Sequence, residues 1–135
     1  TPYLAGNVPV MGEHCAWMES SAVVFINSVI GARTNCEGRE STSAAMLAKR
    51  VPDWGFHRPE FRKGQHHIRV EHPVDSIFEW GMLGYYTGWA VEDTIPVLDG
   101  AIGDASLIRH KHFGAASASS GGVEMYHMVG LTPEA

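Results

Sequence analysis

Residues 19–35 constrain the fold more strongly than any other stretch, because they combine an apolar run with polar groups at both ends. Positions 22–26 are apolar on every side, which predicts a helix that is covered on most of its faces. Ser20 and Ser21 are residue types that cap helix N-termini, because a hydroxyl can accept a hydrogen bond from a free backbone N–H group. Gly31 can adopt the left-handed conformation that ends a helix. We therefore expect a deeply buried helix between the two serines and Gly31.

Polar or reactive side chains follow this helix without interruption, at Arg33, Thr34, Asn35 and Cys36. A loop that is anchored by a rigid element is a common place for binding groups. Arg33 can hold a carboxylate through two parallel hydrogen bonds. Cys36 as a thiolate can ligate iron, although one cysteine cannot hold a cluster alone. The alternative interpretation is a core helix with an ordinary polar loop, and a lone cysteine is more often a small core or surface residue.

The composition argues against several classes of protein. A length of 135 residues suits a single domain with a real core. The net charge of −5 argues against a nucleic-acid partner, which would favour a basic surface. The 2 cysteines are too few for a disulfide framework. No apolar run is long enough to cross a bilayer, so we expect a soluble, cytoplasmic chain without a membrane partner.

The remaining chain alternates helical and extended patterns. The predicted elements are a helix from Ser41 or Thr42 to about Arg50, a strand over 66–71, a helix capped by Asp75 and running to Val91, an extended piece over 95–98, a helix capped by Asp104 and running to Ala118, and a strand over 123–129. This alternation favours an α/β fold with a mainly parallel sheet.

Small residues recur at helical spacing in the helix predicted over 75–91. Gly81, Gly84 and Gly88 lie on one side, and glycine costs helix stability, so they predict the close approach of another backbone. We assign the aromatic residues of the same helix to the core rather than to a stacking platform. These are Phe78, Trp80, Tyr85 and Tyr86.

Three further clusters have weaker claims to chemistry. His66 and His67 are neighbours on a predicted strand and point to opposite faces, so they are poor joint metal ligands. His110 and His112 stand two apart on a predicted helix and do not share a face. Residues 117–122 are small and flexible, and can form a tight turn or a backbone nest for an anion.

Several separate segments match one family pattern in the same order along the chain. They are 1–4 with 6–9, 16–24, 31–35, 114–121 and 127–135. These segments are spread along the chain from one end to the other, and together they resemble the aconitase X family. The resemblance implies an aconitase-like three-layer domain with a mainly parallel sheet flanked by helices. It also implies that residues 1–135 are part of a catalytic domain, a fragment whose partner, a small swivelling domain or subunit, is not present. Turn signals at both ends of the chain agree with that expectation.

The resemblance implies a hydro-lyase that removes water from a hydroxy acid at an iron–sulfur cluster or iron centre. The implied reaction is dehydration of cis-3-hydroxy-L-proline to a pyrroline-2-carboxylate. Alternatives are dehydration of phosphomevalonate by the same family, or a non-catalytic module that retains the fold.

The family pattern also implies site residues in this chain. Those that match it and are assigned to substrate binding are Ser20, Ser21, Arg33, Thr34 and Asn35. Cys36 departs from the pattern, and we interpret it as a metal ligand that points to the hydroxyproline branch. The resemblance leaves the catalytic base unassigned.

Overall fold

The buried segment is helical, and it changes its hydrogen-bond pattern halfway. In the computed structural model, which describes residues 2–135, α1 spans Ser20–Phe25 and continues as a π-helical turn over Ile26–Ile30. Positions 22–28 are buried, which confirms the prediction of a covered helix. Gly31 ends it with φ 75°, also as predicted. Thr1, in the first matching segment, lies outside the described residues.

The capping serines were wrongly assigned. Glu19 occupies the N-cap with an extended backbone, φ −87° and ψ 111°, while Ser20 and Ser21 lie inside the first turn. The Ser21 hydroxyl donates to the Glu19 carboxylate instead. The N-cap therefore lies one residue before the two serines that were predicted to cap the helix.

Three strands form one parallel sheet in the order β1-β2-β3 within residues 2–135. They are β1 (His66–Val74), β2 (Pro96–Ile102) and β3 (His127–Met128), and the helices between them make the fold α/β, as predicted. Ile68 and Val70 face the core as expected. The third strand is much shorter than the predicted 123–129, because the backbone N–H of Tyr126 is bonded to Ser28 Oγ at 2.9 Å rather than to a strand.

The bounds of the helices after α1 differ from the predictions by up to four residues, at both ends of the helices, and only the predicted end of the third helix at Val91 is matched. The helices after α1 are α2 (Arg39–Ala48), α3 (Ile77–Val91) and α4 (Leu107–Gly121), with short 3-10 turns over Pro2–Ala5, Gly55–His57 and Pro59–Phe61. Their N-caps are Gly38, Ser76 and Ser106, rather than Ser41 or Thr42, Asp75 and Asp104. Ser76 and Glu79 form a reciprocal capping box, which decides the start of α3. Residues 117–121 are helical, so the predicted turn or anion nest is wrong.

The glycines of α3 do admit a second backbone. A β-carbon at Gly84 would collide with the Phe113 backbone, and a β-carbon at Gly88 would collide with the Ser117 carbonyl. On the α4 side, a β-carbon at Gly121 would collide with the Gly88 carbonyl. This packing seals a core built from Val24, Trp80, Leu98, Phe113, Tyr126 and Met128. The crossing therefore sets how closely α3 and α4 approach each other beside the sheet.

The aromatic residues of α3 are mostly exposed, against the prediction. Trp80 is fully buried, but Phe78 is 70% exposed and Trp89 67% exposed, and Tyr85 and Tyr86 are exposed as well. Since the glycine side of α3 faces α4, these larger side chains project from other sides of the helix. No helix in the described part of the chain is long and apolar enough to cross a membrane.

The glycine crossing makes a testable prediction. Gly88→Ala should lower the free energy of unfolding by about 1–3 kcal/mol, because its new methyl group meets a backbone carbonyl that cannot move aside. Gly81→Ala is the matched control in the same helix, since its methyl group meets only the exposed His112 ring. It should be neutral or up to about 1 kcal/mol stabilising. Urea unfolding compares them, and an equal loss in both variants would contradict this packing.

Candidate functional site

The loop that carries the predicted site residues is held by parallel pairing with the loop before α1. Isolated bridges join His14 to Arg33 and Trp17 to Cys36. The Arg33 N–H donates to Glu13 O at 2.8 Å, and its carbonyl accepts from Cys15 N at 2.9 Å. The polar loop after the buried helix is thus a fixed, extended segment rather than a free surface loop.

Thr34 and Asn35 point inward and brace this segment. Thr34 is fully buried, and its hydroxyl donates to Asn35 O at 2.8 Å. The Asn35 side chain accepts from Phe56 N at 2.8 Å and donates to Trp54 O at 3.3 Å. Gly55 has φ 58°, and a β-carbon there would collide with the Asn35 amide. These contacts fix the spacing between the segment and the loop around Gly55.

Arg33 reaches a histidine pair that sequence patterns did not indicate. Its guanidinium donates to His57 O at 3.0 Å. The Nδ1 atoms of His57 and His14 lie 2.9 Å apart, close enough to share one proton. Burial, and then the neighbouring His14, lowers the pKa of His57. His57 is therefore uncharged near neutral pH. Its contact with His14 links the two loops.

Cys36 opens onto a cleft of about 520 Å³. Glu124 lies opposite and accepts the Cys36 N–H at 3.4 Å through Oε2. Asn35, Arg58 and Asp93 also line the cleft, which is closed by Trp54, Gly55, Phe56, Phe61 and Gly122. The cleft therefore combines a thiol, a carboxamide, one guanidinium and two carboxylates.

Burial and acidic neighbours shift the protonation of both central groups. Burial raises the pKa of Glu124, the Cys36 N–H opposes that rise, and Glu37 and Asp93 add to it. Burial, followed by Glu124 and Glu37, raises the pKa of the Cys36 thiol. A thiol in this setting keeps its proton, so a bound cation is what would stabilise its thiolate form.

The structure brings together only part of the predicted site. Asn35 and Cys36 line the cleft, and Arg33 and Thr34 lie just before them. Ser20 and Ser21 are not among its lining residues. Their neighbour Glu19 lines a second cavity of about 740 Å³, together with His14 and Trp17.

Glu124, Asp93 and Arg58 were missed by the sequence analysis. Each sits singly in an irregular stretch, and only the tertiary fold brings them to Cys36. The segment matches at 114–121 and 127–135 bracket Glu124 but do not include it.

The donor set fits one ligand of an iron–sulfur cluster. Cys36 is exposed and lines a cleft that also contains two carboxyl groups, a setting that suits a cation. In residues 2–135, no group of three or more histidine, cysteine, aspartate or glutamate side chains is arranged to hold a metal ion. A cluster held at Cys36 would therefore take its other ligands from outside the described residues.

Comparison with known proteins decides the family. The model of the aconitase X first domain matches residues 1–60, and that of the aconitase X second domain matches residues 64–135. The chain belongs to the aconitase X family. Within it, the two matched regions meet after the 3-10 turn Pro59–Phe61, and Cys36 and Glu124 come from different regions.

Curated relatives in the aconitase X family are named as dehydratases. The large subunit of phosphomevalonate dehydratase from Methanothermobacter thermautotrophicus is 45% identical over 134 residues, covering 99% of this chain and 33% of that protein. The cis-3-hydroxy-L-proline dehydratase from Pseudomonas aeruginosa is 40% identical over 139 residues, covering 99% of this chain and 23% of that protein. The chain thus spans a third or less of these relatives.

A solved aconitase X structure has the same fold. The crystal structure of holo-form aconitase X from Thermococcus kodakaraensis superposes with a TM-score of 0.94 at 38% identity. The match covers 99% of this chain and 34% of that one. The α/β architecture is therefore that of the family.

The raised pKa of Glu124 predicts a pH-dependent stability effect. A carboxyl that binds its proton more tightly when folded makes folding less favourable as the pH rises from the ordinary value of 4.5 through its folded pKa. Glu124→Gln should therefore unfold at a higher temperature than the wild type at about pH 7.5, and the gain should shrink towards about pH 4.

Glu79→Gln is the control of opposite sign. The Ser76 backbone N–H lowers the pKa of Glu79, so its contribution to stability is present at neutral pH and lost as the pH falls. Thermal unfolding of both variants across this pH range is the measurement. A Glu124→Gln variant that is less stable than the wild type at about pH 7.5 would contradict the assigned environment.

Proposed function

We propose that this chain contributes to a hydro-lyase that removes water from a hydroxy acid, with Cys36 and Glu124 at the reaction cleft. The observation that carries the proposal is the meeting of an accessible thiol and a carboxylate in one cleft, in a family whose named relatives are dehydratases. Dehydration needs a group to polarise the leaving hydroxyl and another to take a carbon-bound proton. The second of these groups stays unassigned.

The cofactor in this proposal is an iron–sulfur cluster or iron, to which Cys36 supplies one ligand. A bound iron centre would supply Lewis acidity to polarise the substrate hydroxyl. The holo-form of the Thermococcus kodakaraensis relative supports a bound cofactor in the family. This chain's part is to hold Cys36 on a fixed, extended segment in the wall of the cleft.

The preferred substrate is cis-3-hydroxy-L-proline, converted to a pyrroline-2-carboxylate. This acid is a zwitterion, and the cleft offers opposite charges: Glu124 and Asp93 for an ammonium group, and for a carboxylate the Arg58 guanidinium, which pairs with Glu60 and lies over the Phe61 ring when no substrate is bound. The net excess of acidic groups favours a zwitterion over a phosphorylated acid.

The predicted substrate-binding residues take different places in this proposal. Asn35 forms part of the cleft wall and would meet the substrate there while its amide stays bonded to the 54–56 loop, and Arg33 and Thr34 hold that wall. Ser20 and Ser21 line neither this cleft nor the cavity beside Glu19, and they remain proposed substrate contacts only on the family pattern.

Phosphomevalonate is the second candidate substrate. The higher identity to the phosphomevalonate dehydratase large subunit, 45% against 40%, favours it. The words "large subunit" in that relative's name also support a partner for this protein, which we propose to be a small swivelling domain or subunit. Residues from that partner would complete the site.

Direct assay separates the two substrates. The complete protein with its small partner, purified without oxygen, should form a pyrroline carboxylate from cis-3-hydroxy-L-proline, and kcat/KM should exceed that for phosphomevalonate by about 100-fold or more. Turnover of phosphomevalonate alone would replace the preferred substrate by the second candidate. No turnover of either acid, with iron fully present, would sink the hydro-lyase proposal.

Cys36→Ser tests the ligand assignment. It should lose iron and activity together, because serine does not replace a thiolate in a cluster. Cys15→Ser is the matched control, since Cys15 is half-buried with its thiol turned towards Glu13 O. It should keep its iron content and its rate. A Cys36→Ser protein with unchanged iron and activity would remove Cys36 from the site.

A further inference from the structure

A buried amide lies behind the cleft and binds both of its walls. Asn27 is completely buried, in the π-helical turn that continues α1. Its side-chain N–H groups donate to Thr34 O at 2.8 Å and to Glu124 O at 3.1 Å. Its side-chain oxygen accepts from Thr34 N at 3.1 Å and from Arg62 Nη1 at 3.2 Å. Every hydrogen-bonding position of this carboxamide is therefore occupied.

These four bonds determine where the cleft walls stand. One wall is the segment at Thr34, whose backbone N–H and carbonyl are both hydrogen-bonded to the Asn27 side chain. Cys36 follows two residues later in the same segment. The other wall is formed by the Glu124 backbone, whose carbonyl accepts a hydrogen bond from the same Asn27 side-chain nitrogen. The Cys36 N–H then closes the ring by donating to the Glu124 carboxylate. A single side chain thus ties both cleft walls to one anchor.

The π-helical turn explains why this amide points inward. A π turn adds a residue to the helical repeat and changes which side chains face a given side, and such turns are frequent at functional sites. Here the turn buries Asn27 and Ser28, and each bonds to the backbone of the 124–126 stretch. A regular helix of apolar residues would fill the same space without holding either wall.

We propose that Asn27 is a positioning residue that sets the spacing between Cys36 and Glu124 across the cleft. This inference rests on the proposed function only in naming that cleft as the reaction site. Loss of the two donated bonds leaves the buried Thr34 carbonyl and the partly buried Glu124 carbonyl without these partners and lets the walls separate. Because a displacement of about 1 Å at a reaction centre can cost about 100-fold in rate, the spacing controls turnover rather than affinity.

Asn27→Asp is the variant that tests this role in the complete protein. Aspartate keeps the size and the acceptor atoms, including the one facing Arg62, but cannot donate to Thr34 O or Glu124 O. We expect hydrogen exchange of the Cys36 amide to accelerate by about tenfold or more. We also expect kcat for the hydroxy acid to fall at least about tenfold while KM changes little.

Thr132→Val is the matched control for a loss of stability alone. Thr132 is also buried, and its hydroxyl accepts from Met128 N at 2.9 Å, away from the lining of the cleft. It should lower the unfolding temperature without changing Cys36 exchange or kcat. If Asn27→Asp does not fold, Asn27→Ser leaves room for a water molecule at the carbonyls and is judged by the same two readouts.

The outcomes separate the two claims. Unchanged Cys36 exchange in the Asn27 variant, or equal effects in the Thr132 control, would overturn the positioning role. An inactive wild type would refute the proposed function, and the exchange measurement would then still decide whether Asn27 holds the cleft walls.

Discussion

The buried hydrogen bonding between Asn27 and Arg62 is the interaction on which the rest of the structure depends. The Arg62 side chain is only 1% exposed, and it bonds to Glu134, to Phe56 O and to both oxygens of Asn27. A buried guanidinium is strongly unfavourable unless its donors are all used. Since its partners come from the N-terminal region, the central loop and the C-terminus, satisfying this one charge forces these three parts of the chain together.

The position of the cleft follows from the hydrogen bonds that Asn27 and Arg62 make. Asn27 and Ser28 hold the 124–126 stretch against α1, so that Glu124 comes to lie opposite Cys36. The Cys36 segment is also held by the Trp17 N–H, which donates to the Thr34 hydroxyl, and by Asn35, which bonds to the loop around Gly55. Reactive groups are thus placed by buried, fully bonded polar residues, while the groups themselves stay accessible in a partly acidic cleft.

Features that depend on local patterning could be predicted from the sequence, whereas features that depend on distant partners could not. Three features could be predicted because each depends only on residues close together in the sequence. They are the apolar run at 22–26, the helix end at Gly31 and the glycine spacing in α3. The start of α3 was missed by one residue, because Asp75 and Ser76 are both capping types and only the bond to Glu79 chooses between them. The aromatic residues of α3 were misplaced, because hydrophobicity alone does not say which face finds a partner.

The site divides in the same way. Arg33, Thr34, Asn35 and Cys36 stand together in the sequence, so their shared location was predictable. The roles of Thr34 and Asn35 as braces were not, because their partners lie on other segments. Glu124 carries no local signal, and its importance follows only from a contact across 88 positions of the chain.

The measurement that tests this account most directly is an iron-edge anomalous diffraction map of the complete protein, crystallised without oxygen. The account predicts an iron peak within bonding distance of Cys36 Sγ, in the cleft that Glu124 and Arg58 line. An iron peak elsewhere, with Cys36 free in an open cleft, would contradict it.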